Sequence, residues 1–425
     1  MTEPDTDWSR LHTMAVLLFG IGWAMDAFEV TLIGNVLGAL SARFGLGADA
    51  MSVVLAAWFA GLMIGAAGFG VLADRFGRRR IFLGSLVLYG VATLATAAAP
   101  DFAALLALRL IAGIGVGAEY SAINAAVAEI APDRRRGFAS ALMLNFWPLG
   151  SLLAALLAWL VLSALPEAIG WRVVFAFGGL IALSSAWLRR GLPESPRWQA
   201  TRESQRGAQR GALSLLWRRY PGRLALGAVL DFAEASGYYG LFAFLPLVVL
   251  PALHLPPARL PVFYLAGSVG ALAGGFAAAF LLDRAGRQGT VLGFYLATAA
   301  ATVAFAFATR LGAGVLMPGF ALVNLLATGS WIAAYPTFSE LFPTALRASG
   351  IGASVAVGRI GAMMSPFLIG AVGAKSMEAA LMLLAGFWLL GVAAMLIWRW
   401  SGGIEGRGLA LEAIAPEGVT ETPHA

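Results

Sequence analysis

Two pairs of carboxylates stand one helical turn apart inside runs that are otherwise almost wholly apolar. Asp26 and Glu29 lie in DAFEV (26–30), and Asp231 and Glu234 lie in DFAEA (231–235). Arg109, Glu119 and Arg359 share that apolar setting. Taking a carboxylate out of water disfavours its ionised form, and a second carboxylate one turn away adds to the penalty, so these groups are candidates to take up and release protons. A neighbouring arginine acts in the opposite sense, and pairing with Arg109 or Arg359 simply to hold helices together is the plain alternative. Asp26 and Glu29 are the first choice as proton carriers and Asp231 and Glu234 the second, while Glu119 fits either coupling or packing. Arg359, in GRIGAMMSP (358–366), keeps its charge, and its planar fork can take a carboxylate through two parallel hydrogen bonds. It is read as a site for an anionic substrate or as the partner of Asp231 or Glu234, and the two roles can alternate. Arg109 reads as a structural or proton-relay partner.

The elements that must position these groups are membrane spans. The chain of 425 residues is 60% hydrophobic and 12% charged, where soluble domains carry about 25% charged residues. The uncharged stretches 50–73, 81–100, 137–166, 260–282, 288–309, 311–339 and 379–398 each suit a hydrocarbon core that needs roughly 20 residues. The shorter stretch 173–188 can be accommodated by tilt and by its flanking Trp and Arg residues. Four more, 13–42, 102–128, 224–250 and 348–374, qualify by length and carry the embedded charges. Twelve spans are expected, with the two carboxylate pairs in the middle zone of the first and seventh.

Of the 29 Lys and Arg residues, Arg43, Arg172, Arg259, Arg310 and Lys375 fall on one side of such a chain, Arg109 and Arg359 fall within spans, and the rest lie on the side of the N-terminus. Both termini are therefore expected in the cytoplasm. The formal charge of +6 reports this topology and not a nucleic-acid partner. The acidic start MTEPDTDWSR and the length of the first apolar run point to a retained span and not to a signal peptide. Cysteine is absent, and the three histidines, His12, His254 and His424, lie deep in no span, so no metal site, cofactor or catalytic constellation is expected.

Three patterns recur in order and at nearly constant spacing: DAFE (26–29) with DFAE (231–234), LADRFGR (72–78) with LLDRAGR (281–287), and the ExxPxxxR motifs at 129–136 and 340–347. Each half then holds six spans in the same orientation, as a parallel repeat. The expected division is a six-helix bundle over 1–190, a cytoplasmic linker with an amphipathic segment over 191–222, a second six-helix bundle over 223–400 and a cytoplasmic tail over 401–425. Tyr120, Asn124, Asn145, Trp147, Tyr238, Tyr239, Asn324, Trp331 and Tyr335 are placed to line a pocket at mid-membrane, or to pack the helices. As a set they suit an organic molecule with a ring.

GVLADRFGRRR (70–80), RLIAGIGVGAEYSAINAAVAEIAPDRRRG (109–137), DRAGRQ (283–288), PESPRW (193–198) and ELFPTALRASG (340–350) resemble the major facilitator superfamily over essentially the whole chain. Within it they resemble the branch of sugar porters, organic ion transporters and bacterial metabolite:proton symporters. The paired glutamines of sugar porters in the seventh span are replaced here by DFAEASGYYG (231–240). DAFE is similar to the DG[FY]D motif of aromatic acid:proton symporters, with Ala27 for Gly and Glu29 for Asp. The resemblance implies a cytoplasmic gate around Asp74, Arg75 and Arg78 and its second copy at Asp283 and Arg287. Glu129 and Arg136, with Glu340 and Arg347, would extend that ion-pair network, and Arg109 opens a family-like motif. In the resembling organic ion transporters an arginine at the position of Arg359 accompanies anionic substrates.

The expected protein is an all-α secondary transporter of the cell inner membrane, a monomer, carrying a small organic anion such as an aromatic carboxylate together with protons by alternating access. A proton-driven exporter of amphipathic or cationic compounds is the alternative within transport. A non-transporting membrane sensor is the alternative outside it, and no enzyme activity is expected.

Overall fold

The computed structural model describes residues 10–130, 135–190, 212–249, 252–253 and 259–415; within these, the side chains of Asp26, Asp74, Arg78, Glu119, Tyr120, Asn124, Glu129 and Arg136 lie outside the described set, as does the PESPRW motif. The described residues are helical, with no strand among them. In the first half run α1 (Arg10–Phe44), α2 (Ala48–Phe76), α3 (Arg78–Thr96), α4 (Phe102–Ile130), α5 (Arg136–Leu144), α6 (Phe146–Ala164) and α7 (Glu167–Arg189). A short helix, α8 (Ala212–Arg219), leads into α9 (Pro221–Phe244), α10 (Leu260–Leu282), α11 (Arg287–Ala308), α12 (Leu316–Ser339), α13 (Arg347–Gly373) and α14 (Met377–Trp400), and a single turn, α15 (Leu411–Ile414), follows.

Among the described residues, ten segments are long and apolar enough to cross a membrane. The third and fourth expected spans coincide with α3, which opens on three arginines, and with α4, whose described apolar part is Phe102–Gly117. The expected span 137–166 is one segment of two helices, because Pro148 has no N–H to offer the carbonyl of Leu144 and the α ladder breaks at Asn145. In eight of these segments 39–56% of an apolar window is buried inside the protein, whereas the segments of α1 and α9 reach 81% and 83%. The two helices that carry the carboxylate pairs are thus the most enclosed of the ten.

Packing repeats between the halves. In the first, α1 packs on α6 and α7, α2 on α4, and α3 on α4 and α7; in the second, α9 packs on α13 and α14, α10 on α12, and α11 on α12 and α14. The halves meet along two matching seams, α2 against α13 and α10 against α5 and α6. Glycines set the closest approaches. A Cβ at Gly61 or Gly65 of α2 would strike the carbonyls of Leu110 and Ile114 on α4, and one at Gly270 or Gly274 of α10 would strike those of Ala321 and Leu325 on α12. GLMIG (61–65) and GALAG (270–274) are a fourth repeated pattern in the sequence, and their equivalence becomes evident in the packing. The loops carrying LADRFGR and LLDRAGR likewise turn on equivalent glycines with positive φ, Gly77 at 103° and Gly286 at 82°.

Candidate functional site

The deepest charged cluster of the second half joins α9, α12 and α13. Arg359 is 1% exposed, and its guanidinium donates to the Tyr335 hydroxyl at 2.9 Å, lies 5.5 Å from the Tyr239 ring and stands 3.9 Å from Asp231. That last separation is an ion pair too long for a hydrogen bond. Asp231 is fully buried and Glu234, on the same face one turn later, nearly so. The Asp231 carboxylate fits against α13 because position 358 is glycine. Gly361 gives Ser236 the same kind of room one turn on, so α9 and α13 meet at backbone distance beside the charges. Tyr239 in turn meets Phe59 of α2 edge to face at 4.5 Å, which brings this cluster to the seam between the halves.

An aromatic group from both halves adjoins it. Trp331 packs against Tyr335 on α12 with ring centroids 5.9 Å apart. Trp23 of α1 and Trp147 of α6 come from the first half to within 6.3 Å and 5.6 Å of Trp331 and 5.4 Å of each other. The sequence-expected Trp147, Tyr239, Trp331, Tyr335 and Arg359 are therefore drawn together, with Tyr238 half-buried at their edge, 5.4 Å from Tyr239. Trp23 was not among the expected residues; its spacing one turn before the carboxylate pair was the available signal. Two further expected residues make hydrogen bonds to the backbone. The Asn145 amide, at the break between α5 and α6, donates across the seam to the Leu272 carbonyl at 3.2 Å, and Asn324 donates to Phe320 one turn back on its own helix at 3.0 Å.

The first half holds a separate cluster. Glu29 of α1 lies 3.4 Å from Arg109 of α4 and accepts a short hydrogen bond from Thr93 of α3. Arg109 also donates to Thr93 at 3.3 Å and Thr96 at 2.5 Å, and its guanidinium lies 4.6 Å from the Phe175 ring of α7. Glu29 is thus enclosed among four helices of one half with a fixed cation beside it. Asp26 lies on α1, but its side chain is outside the described residues, as are those of Glu119, Tyr120 and Asn124 on α4.

A third cluster lies where α10 ends and α11 begins. Arg287 pairs with Asp283 at 2.9 Å and grips Glu340 through two nitrogens at 3.2 and 2.9 Å. Asp283 also accepts from the Phe138 backbone N–H at 3.0 Å, which ties this loop of the second half to the start of α5 in the first. Arg287 joins two of the repeated motifs by taking Glu340 as partner, while the buried Arg347 donates to Thr344 at 3.1 Å. Glu405, past the last span, accepts from the N–H groups of Arg287 and Gln288 at 2.8 and 3.0 Å, an acidic cap on the N-terminus of α11. Nothing in the sequence patterns pointed to Glu405. In the matching loop of the first half Arg75 is exposed against Phe76, and Asp74, Arg78, Glu129 and Arg136 lie outside the described side chains.

The Major Facilitator Superfamily model matches residues 14–366. The chain belongs to that superfamily. Among its superfamily relatives, the 3-(3-hydroxy-phenyl)propionate transporter of Escherichia coli is 32% identical over 375 residues, 86% of this chain and 88% of that one. The niacin transporter NiaP of Acinetobacter baylyi is 29% identical over 388 residues, covering 85% and 87% of the two chains. The solved structure of the proton:xylose symporter XylE bound to 6-bromo-6-deoxy-D-glucose superposes with a TM-score of 0.80 at 20% identity, covering 95% of this chain and 98% of that one, a likeness of fold. This member of the superfamily is a multi-pass membrane transporter of small organic substrates and not an enzyme.

Proposed function

We propose that this transporter carries a small organic anion, an aromatic carboxylate for preference, inward across the cell inner membrane in symport with protons. The observation that carries the reading is the placement of Arg359. It is a buried fixed cation, oriented by Tyr335, beside aromatic rings at the seam between the halves, and held to Asp231 only at 3.9 Å. A guanidinium so placed offers a substrate carboxylate two parallel hydrogen bonds. The two relatives named above carry niacin and 3-(3-hydroxy-phenyl)propionate, both ring-bearing acids, which supports the same substrate class.

Coupling follows from charge. Asp231 and Glu234 already place two carboxylates beside one arginine, and adding a third anion to a dry site is costly. A proton on Asp231 removes one negative charge and releases Arg359, so the substrate carboxylate takes over the guanidinium that Asp231 gives up. Proton and anion then enter together, and their departure on the cytoplasmic side restores the Asp231 to Arg359 pair. Glu29, paired with Arg109, serves in this reading to hold the first bundle together. The two bundles, over 1–190 and 223–400 with twelve spans and both termini in the cytoplasm, rock about the central site of a single monomer. The Asp283, Arg287 and Glu340 cluster latches their cytoplasmic ends.

The test is uptake into proteoliposomes of labelled nicotinate, benzoate, a neutral amide of each and an organic cation, with and without a pH gradient. Acid-selective uptake that rises with an inward proton gradient supports the proposal. Arg359→Lys should weaken acid uptake while keeping the preference for acids, and Arg359→Ala should abolish acid uptake. Cation efflux driven by protons, with no acid uptake, would replace this reading by the exporter.

A further inference from the structure

We infer that Trp23 and Trp331 are the two jaws of a clamp that takes the ring of the substrate between them. The inference rests on the organic-anion reading and assigns its ring subsite. The two indoles are close to parallel, 12° apart in plane, with centroids 6.3 Å apart. Holding a third ring between two parallel rings takes about 7 Å, twice the contact distance of ~3.5 Å between carbons. The two jaws must therefore stand about 7 Å apart, plane to plane, when the ring is held between them. Trp23 stands on α1 and Trp331 on α12, so one jaw belongs to each half, and the gap changes with the movement that opens and closes the protein.

The other sides of the subsite fit the same purpose. Trp147 turns its ring by 50° from Trp23 and 62° from Trp331, forming an end wall across both jaws. All three indoles are almost completely buried, at 0%, 2% and 5% exposure for Trp23, Trp147 and Trp331, so a ring there leaves water entirely. The anion end lies one helical turn further along α12, about 5.4 Å away, where Tyr335 holds Arg359. The ligand that satisfies both is a planar ring with its carboxylate attached directly or through a short chain. Such a clamp closes fully only when both halves approach, so ring occupancy favours the closed state that precedes turnover.

Binding to the purified full-length protein by titration calorimetry, with benzoate and cyclohexanecarboxylate as probes, separates planarity from charge. The wild type should prefer benzoate by about tenfold, the scale of one or two ring-stacking contacts. Trp23→Leu and Trp331→Leu should each weaken benzoate by several-fold more than cyclohexanecarboxylate, so that the preference for the planar ring is lost, and Trp23→Phe should retain most of it. Thermal midpoints identify a variant that fails to fold, in which case Trp23→Phe and Trp331→Phe against the wild type decide the matter through a graded loss of planarity preference. Equal binding of both acids by the wild type, or equal loss of both in the variants, overturns the clamp and leaves the anion transporter standing. Binding of neither acid overturns both.

Discussion

Asp231 rests its carboxylate against Gly358, the residue that immediately precedes Arg359 on α13. The contact makes the ion pair part of the helix crossing, since the acid and the cation are set by one approach of α9 to α13. Gly358→Ala would drive a methyl group into the Asp231 side chain and backbone. We expect a loss of about 1–3 kcal/mol in stability and a loss of acid uptake. A thermal midpoint and uptake both equal to the wild type would refute the role of that crossing.

Asp231→Asn keeps the shape of the protonated acid but cannot release a proton. Exchange of labelled for unlabelled acid across the vesicle should persist, while accumulation driven by a pH gradient should disappear. If accumulation survives in Asp231→Asn and is lost in Asp26→Asn or Glu29→Gln, the proton site belongs to the first half.

Glu29 and Arg109 offer a test of a structural ion pair. Glu29→Gln leaves a buried guanidinium without its carboxylate, and the expected cost is about 3–5 kcal/mol. The double variant Glu29→Gln with Arg109→Gln should recover part of that loss in thermal unfolding. A Glu29→Gln protein as stable as the wild type but uncoupled from protons would mean that Glu29 carries a proton.

Asp283→Ala removes the acceptor for the Phe138 N–H and one partner of Arg287, both at the end of the seam that the proposed topology turns to the cytoplasm. The population should shift towards the inward-open state with little change in substrate affinity. Because the chain has no cysteine of its own, single cysteines introduced near residue 138 report the change directly. Labelling there should rise several-fold, and an unchanged rate would reject the latch.

The helices and their repeat could be read from the chain because the signals are local. Apolar length marks the spans, and LADRFGR with LLDRAGR marks equivalent loops. Arg359 was legible for the same reason, as a charge where charge is costly. Its neighbours were less so. Which face of α1 meets the other half depends on crossings set by Gly34, against which the Phe242 ring is pressed, and by Gly150, which sits on the Ala24 carbonyl. A residue list cannot rank such contacts: it does not single out Trp23, which meets Trp147 and Trp331, and it does not show that Asn324 donates to Phe320 on its own helix. Nor does the sequence bring Thr93 and Thr96 of a third helix to Glu29 and Arg109.

The strap after the last span bears on how the protein is handled. Glu405 caps α11, Gln288 donates to the Gly403 carbonyl, and Ile414 is buried beside Gly406, so the stretch up to Ala415 is bound to the Asp283, Arg287 and Glu340 cluster. A fluorescent reporter fused directly after Trp400 would strip that strap away, while the same reporter fused beyond Ala415 would keep it. Both fusions retain every span and would glow equally in a membrane fraction. Only the second would preserve the acid that steadies Arg287, so brightness is a measure of insertion and not of a working latch.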